Sequence, residues 1–417
     1  MNYVRSVVTV LSLALTGSQI EAADAGEENK VQRNPQIAAL GDGEAVRLKT
    51  NEPVPTGRGY CARMPYDPVH KVGLVYGACH NPRPHRVVQN GVWSFDAATG
   101  TWTELVKTDP TGMKMKRTEF GVVIPAEGPP RPPGVGHTYN VISFDTHANR
   151  MVSLRGGTPG WLKAWPKYKQ KAIDKARAAG VSDETIKNAR RCLPWLFDVE
   201  ERTWHLACPP EGDTPNHTRA EACVYDPKHK RTLYWSVDVI AQRKGGVFAY
   251  DSQTNRWTFS KTRGGPASGI EPLACWDTLN ERVLYFAGSY TKTRQVKTFD
   301  YATLTWTDLG VTNWPKLPKP HPKRGPYRVF CSGNACLAFD TKNNVALIFE
   351  QRSAAGVQVY PFDVRANKFL PEQSIPWGDR GQIKCYYDPD QNAVILNGGR
   401  DMGKSQTWAY RYRRIGK

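Results

Sequence analysis

Val92-Trp93-Ser94-Phe95-Asp96-Ala97-Ala98-Thr99-Gly100-Thr101-Trp102-Thr103-Glu104-Leu105 reads as one tight hairpin. Aromatic and β-branched residues favour strands, and Asp and Gly favour the turn between them. The unit is an aromatic residue, an Asp, a polar turn, and a second aromatic six residues after the Asp. It returns as Phe197-Asp198 with Trp204, Tyr250-Asp251 with Trp257, Phe299-Asp300 with Trp306, and Phe362-Asp363 with Phe369. A second aromatic-Asp series precedes each: Tyr66-Asp67, Phe144-Asp145, Tyr225-Asp226, Trp276-Asp277, Phe339-Asp340 and Tyr387-Asp388. Each unit is therefore two hairpins, a small four-stranded antiparallel sheet, and the sheet is repeated along the chain.

These residues resemble the kelch repeat, the blade of a β-propeller, with Gly156-Gly157 and Gly398-Gly399 closing the second strand of their units. The resemblance runs from Arg58 to Arg414 and implies an all-β, six-bladed ring of four-stranded antiparallel blades. A seven-bladed ring would need a further blade in 111–136 or 310–327, and both stretches are short and rich in Pro. The last unit ends at Thr407-Trp408-Ala409-Tyr410-Arg411-Tyr412 with no fourth strand after it. Residues 46–53 resemble 104–110, so a strand at 45–50 is expected to complete that blade and close a single domain over 44–414.

The 417 residues carry 57 Lys plus Arg against 39 Asp plus Glu, a formal net charge of +18. At 40% hydrophobic and 11% aromatic the chain is too apolar for a disordered basic protein, and its 36 Gly and 31 Pro argue against a helical bundle. Arg5, the apolar run 7–15 and the small residues 18–25 predict a signal peptide over 1–25, followed by a flexible segment 26–43. The mature chain is expected to be secreted or periplasmic, without membrane insertion. Nine cysteines then become worth pairing. By symmetry about their turns Cys61 pairs with Cys79 and Cys192 with Cys208, and Cys331 with Cys336 would lock a small turn. Cys223, Cys275 and Cys385 read as buried small residues between blades.

The repeat register sorts the charges. The turns inside each hairpin share one face, and their aspartates are expected to accept turn amides. Long, irregular, basic loops occupy the other face. They include a helical insertion at 161–191, read as a lid. Such a rim concentrates a polyanion, and for an exported protein the expected partner is an acidic, uronate- or sulfate-bearing polysaccharide rather than nucleic acid. Arg and Lys suit the anionic groups and aromatics suit the sugar faces.

Propeller lyases of algal polysaccharides place His, Tyr and Arg at the ring mouth, and similarity in kind implies, for a catalytic ring mouth, β-elimination at a uronate: the carboxylate is neutralised, a base takes the C5 proton, and an acid serves the leaving oxygen. By position the catalytic candidates are His80, His137, Tyr139, Arg155 and His217. Arg83, His85, Arg219, Arg243, Tyr290, Arg400, Trp161 and Trp165 are the substrate-binding candidates. Paired carboxylates for hydrolysis are poorly represented, since Glu119, Glu221, Asp238 and Glu271 are scattered. The alternative is a non-catalytic carbohydrate- or protein-binding kelch module. A copper oxidase of the galactose-oxidase kind ranks lower, as Tyr60 and Cys61 adjoin only in sequence. No cofactor is expected, a structural or catalytic metal is left open, and the expected state is a monomer.

Overall fold

The structure is a computed structural model that describes residues 32–59, 61–77, 90–109, 114–118, 123–132, 138–154, 173–174, 177–188, 192–215, 222–235, 245–265, 272–287, 294–316, 330, 335–353, 356–378, 381–399 and 403–413. Residues 33–417 form one unit. The expected all-β, six-bladed propeller is what the chain builds. Blade 1 comprises Tyr66–Asp67, Val72–Val75, Val92–Asp96 and Thr101–Val106, hydrogen-bonded in that order. Blade 2 comprises Ile142–Asp145, Arg150–Ser153, Trp195–Asp198 and Thr203–Leu206. Blade 3 comprises Ala222–Asp226, Arg231–Trp235, Gly246–Asp251 and Arg256–Lys261, with Glu211–Gly212 added in parallel at its outer edge. Blade 4 runs Leu273–Asp277, Arg282–Ala287, Gln295–Asp300, Thr305–Asp308. Blade 5 runs Ala335–Asp340, Val345–Ser353, Gly356–Asp363, with Lys368–Phe369 and Gln373–Ile375 both lying outside its third strand.

Blade 6 draws on both ends of the chain. Its strands Gln382–Asp388, Ala393–Gly399 and Gln406–Arg411 are covered by Glu44–Arg47, which pairs antiparallel so that Glu44 faces Arg411 and Arg47 faces Trp408. A one-turn helix, Pro35–Ala38, precedes this strand and is capped by the Asn34 side chain on the Gln36 amide. The buried Arg411 guanidinium donates to the carbonyls of Leu40 at 2.7 Å and Gln391 at 3.1 Å. Among the described residues no helix is long and apolar enough to cross a membrane. Within the 161–191 insertion, Asp183–Asn188 is helical.

The repeated aromatic-Asp signature has a physical cause. In the outer hairpins the two aromatics face each other across the ladder, Phe95 opposite Trp102, Phe197 opposite Trp204, Tyr250 opposite Trp257, Phe299 opposite Trp306 and Phe362 opposite Phe369. Their ring centroids lie 4.7–5.1 Å apart, within the range of favourable aromatic pairs. Six apolar clusters fill the spaces between blades, one for each junction around the ring. The junction of blades 6 and 1, for example, buries Met64, Phe95, Trp102, Tyr386, Ile395 and Ala409 together.

The Asp of each turn uses Oδ1 to accept amides two or three residues on, as Asp67 does from Val69 and His70, Asp226 from Lys228 and His229, and Asp363 from Arg365 and Ala366. The fourth residue after it takes a left-handed backbone: Lys71, Gly100, Asn149, Arg202, Lys230, Asn255, Glu281, Leu304, Asn344, Asn367 and Asn392 all have φ between 47° and 73°. Gly and Asn suit that conformation, so their recurrence there is turn chemistry.

Candidate functional site

Because each blade starts on its innermost strand, the starts of those six strands ring the axis on the face opposite the aspartate turns. Backbone contacts draw this neck together. Cys61 bridges Tyr139, Asn140 bridges Ala222, and Arg63 bridges Cys385, each in parallel. The amides of Ala62 and Cys223 donate to the carbonyls of Tyr139 and Asn140, both at 3.0 Å. The Asn140 side chain reaches across to the Pro272 carbonyl at 3.1 Å, so blade 2 holds blade 4 as well as blade 3.

Arg63 is the central charge of this neck. Its Nη1 donates to the carbonyls of Cys223 at 2.7 Å and Ile142 at 3.4 Å, and its Nη2 donates to the carbonyl of Ala274. One side chain from blade 1 therefore ties to blades 2, 3 and 4, while its own backbone meets blade 6. Burial pushes the guanidinium below its ordinary pKa, and the neighbouring Cys223, Cys275 and Cys385 act the other way.

A second cluster lies where blades 1 and 2 meet. Arg58 is buried and donates from Nη1 to the Gly91 carbonyl at 2.9 Å. Tyr76 and Thr138 are both fully buried, and neither hydroxyl has a hydrogen-bond partner among the described residues. Burial pushes the Tyr76 phenol well above its ordinary value, with Arg58 opposing. Gly77, at φ +120°, lets these groups crowd together, since a Cβ there would lie 2.7 Å from the Cys61 sulfur and 2.8 Å from Thr138.

Of the catalytic and substrate-binding candidates, Tyr139 is described. It is buried, with φ +44°, a strained backbone for an aromatic residue, at the start of blade 2. His80, His137, Arg155, His217, Arg83, His85, Arg219, Arg243, Tyr290, Arg400, Trp161 and Trp165 lie outside the described residues. So do Cys79 and Cys331. Cys61 sits in the neck, Cys192 places its sulfur 3.1 Å from the Leu154 carbonyl, and Cys208 is half-buried after the last strand of blade 2. Cys336 is buried against Cys385, and Cys223, Cys275 and Cys385 all occupy innermost strands as buried residues.

Several basic residues of the expected rim are committed to neighbours. Arg131 pairs with the buried Asp109, and Lys404 with Glu52 at 3.0 Å. Arg263 bonds to Thr305 at 3.1 Å and Arg294 lies 5.9 Å from the Trp314 ring centroid. Sequence reasoning did not single out Arg63, Arg58 or Asn140. For Arg63 the signal was a lone charge within the otherwise uncharged Cys61-Ala62-Arg63-Met64. Among the described residues no group of three or more His, Cys, Asp or Glu is placed to hold a metal ion.

No protein-family model and no curated protein matches the chain. Solved structures resemble it at low identity. An auxiliary nutrient-binding protein from Bacteroides ovatus aligns over 88% of this chain and 76% of its own with 10% identity and a TM-score of 0.44. The Dos1 propeller aligns over 91% and 76%, with 10% identity and a TM-score of 0.37. Kuenenia stuttgartiensis hydrazine synthase aligns over 62% of this chain at 8% identity and a TM-score of 0.35, and the match spans 55% of that protein's length.

Proposed function

We propose that this chain is an exported propeller that binds an acidic, uronate- or sulfate-bearing polysaccharide on the face where its innermost strands begin. The observation that carries this reading is the position of Arg63 at the neck, on the face opposite the aspartate turns. On the opposite face the repeated aspartates accept turn amides, whereas the Arg63 guanidinium stands at the neck of this face, and the repeat register of the sequence assigns the long basic stretches to the same face. A one-signed surface at a ring mouth raises the local concentration of a polyanion.

Binding without chemistry is favoured over β-elimination by one feature: Tyr139 is buried among backbone contacts, where a phenol is poorly placed to meet a sugar. The test is a panel of polyuronates, sulfated glycans and neutral glycans, measured for binding at rising salt and for the absorbance of an unsaturated uronate product. Salt-sensitive retention of the acidic members supports the reading, and salt-insensitive or charge-indifferent binding overturns it. Appearance of the unsaturated product would restore the lyase.

A further inference from the structure

A guanidinium has five N–H donors in a planar fork. In Arg63 the two on Nη1 and one on Nη2 are taken by the carbonyls of Cys223, Ile142 and Ala274. Nε–H and the second Nη2–H have no protein acceptor among the described residues. No carboxylate there lies within ion-pair reach of Arg63 either. Its ionisable neighbours are the thiols of Cys223, Cys275 and Cys385, and burial pushes the Cys275 thiol up, which keeps it neutral.

Arg63 is half-buried, and carbonyl dipoles satisfy its hydrogen bonds without cancelling its full charge. A partly desolvated cation that faces no counter-charge among the described residues is costly, and a bound anion relieves it. Nε–H and Nη2–H form the edge of the fork that matches a carboxylate in bidentate geometry. The Cys61–Tyr139 and Asn140–Ala222 bridges draw the blades together around it, and one carboxylate matches the two N–H groups left over.

We propose that Arg63 is a carboxylate-binding site at the neck where the innermost strands begin, taking one small carboxylate, free or carried by a uronate residue, on its Nε and Nη2 edge. The site does not require that the outer loops hold a polysaccharide. Sodium acetate and sodium glucuronate are the probes, with sodium chloride at equal ionic strength as the reference.

Crystals of the mature chain grown without carboxylates or phosphate are soaked in each salt, and the same probes are titrated calorimetrically against wild type, Arg63→Lys and Arg63→Gln. The expected result is carboxylate density on the Arg63 edge and affinity weakened about tenfold or more in Arg63→Lys, which keeps the charge and loses the fork. Occupancy by both probes identifies a free small carboxylate as sufficient, and occupancy by glucuronate alone identifies the sugar acid. An Arg63 edge that takes only water or chloride in both soaks overturns the proposal, as does unchanged affinity in folded variants. The soaks on wild type decide the matter if both variants misfold. Retention on immobilised polyuronate, measured separately, reads the outer face, so failure of either site is distinguishable from failure of the other.

Discussion

Gly73 stands against Tyr386: a Cβ at Gly73 would lie 2.2 Å from Cε1 of that ring. Tyr386 has nowhere to retreat, because it is buried, stacked on Tyr66 at 5.5 Å, and reaches the Phe95 carbonyl with its hydroxyl at 3.4 Å. The contact joins the last blade to the first. Gly73→Ala should therefore destabilise the protein by about 3 kcal/mol, as overpacking of a rigid core does. Urea unfolding of the variant measures it, and a loss under about 0.5 kcal/mol would mean that the rings slide apart freely.

Arg202 offers the opposite outcome. It is exposed, with φ +55°, in the turn that follows Asp198, and a side chain in that conformation is strained. Arg202→Gly should raise stability by about 0.5–1 kcal/mol, the strain relieved less the chain entropy that Gly adds to the unfolded state. A shift of the urea midpoint to higher concentration at constant slope is the expected reading.

Asp388 carries a pH signature. Burial raises its carboxyl to about 6, against the amides of Gln391 and Asp390 that favour the charged form. The folded state therefore binds the proton more tightly than the unfolded chain, whose carboxyl titrates near 4. Above pH 6 the full penalty is present, and it is relieved as pH falls from 6 towards 4. Asp388→Asn keeps an oxygen for both amides and removes the charge. It should gain about 2 kcal/mol relative to wild type at pH 8, a gain that shrinks towards pH 4, measured by denaturant unfolding at both values.

Cys275 and Cys336 should be silent towards thiol reagents in the native ring. Burial pushes both thiols above their ordinary value, which suppresses the thiolate that reacts. At pH 8 their labelling with an aromatic disulfide should run at least about a thousandfold slower than that of a free thiol, and denaturant should release it. Peptide mapping of the label identifies each site.

The turns were legible because their chemistry is local: an Asp, its acceptor oxygen and a left-handed residue four places on lie within one short stretch. The facing aromatics were legible for the same reason, since a fixed spacing across a tight turn fixes the register. Arg63 was not. Its partners at Ile142, Cys223 and Ala274 lie 79, 160 and 211 residues away, and they meet it only when the ring closes. Nothing within Cys61-Ala62-Arg63-Met64 says that three carbonyls will converge there. The His and Arg candidates were chosen by the ends of strands alone, on long loops whose course no repeat dictates, so the sequence ranked them by face and could not assemble them.

The closing pair of strands has a mechanical consequence. Glu44 and Arg411 face each other at the end where one strand enters and the other leaves, so tension on the two ends of the chain separates the ladder one residue pair at a time. A ladder loaded in this way peels, whereas one loaded along its length resists as a block. The first pairs to feel the load are those that Arg411 guards, through its bonds to the carbonyls of Leu40 and Gln391. That guanidinium therefore ties the two strands together at the end where the load arrives, beside the Gly43 amide that donates to the Arg411 carbonyl at 2.9 Å.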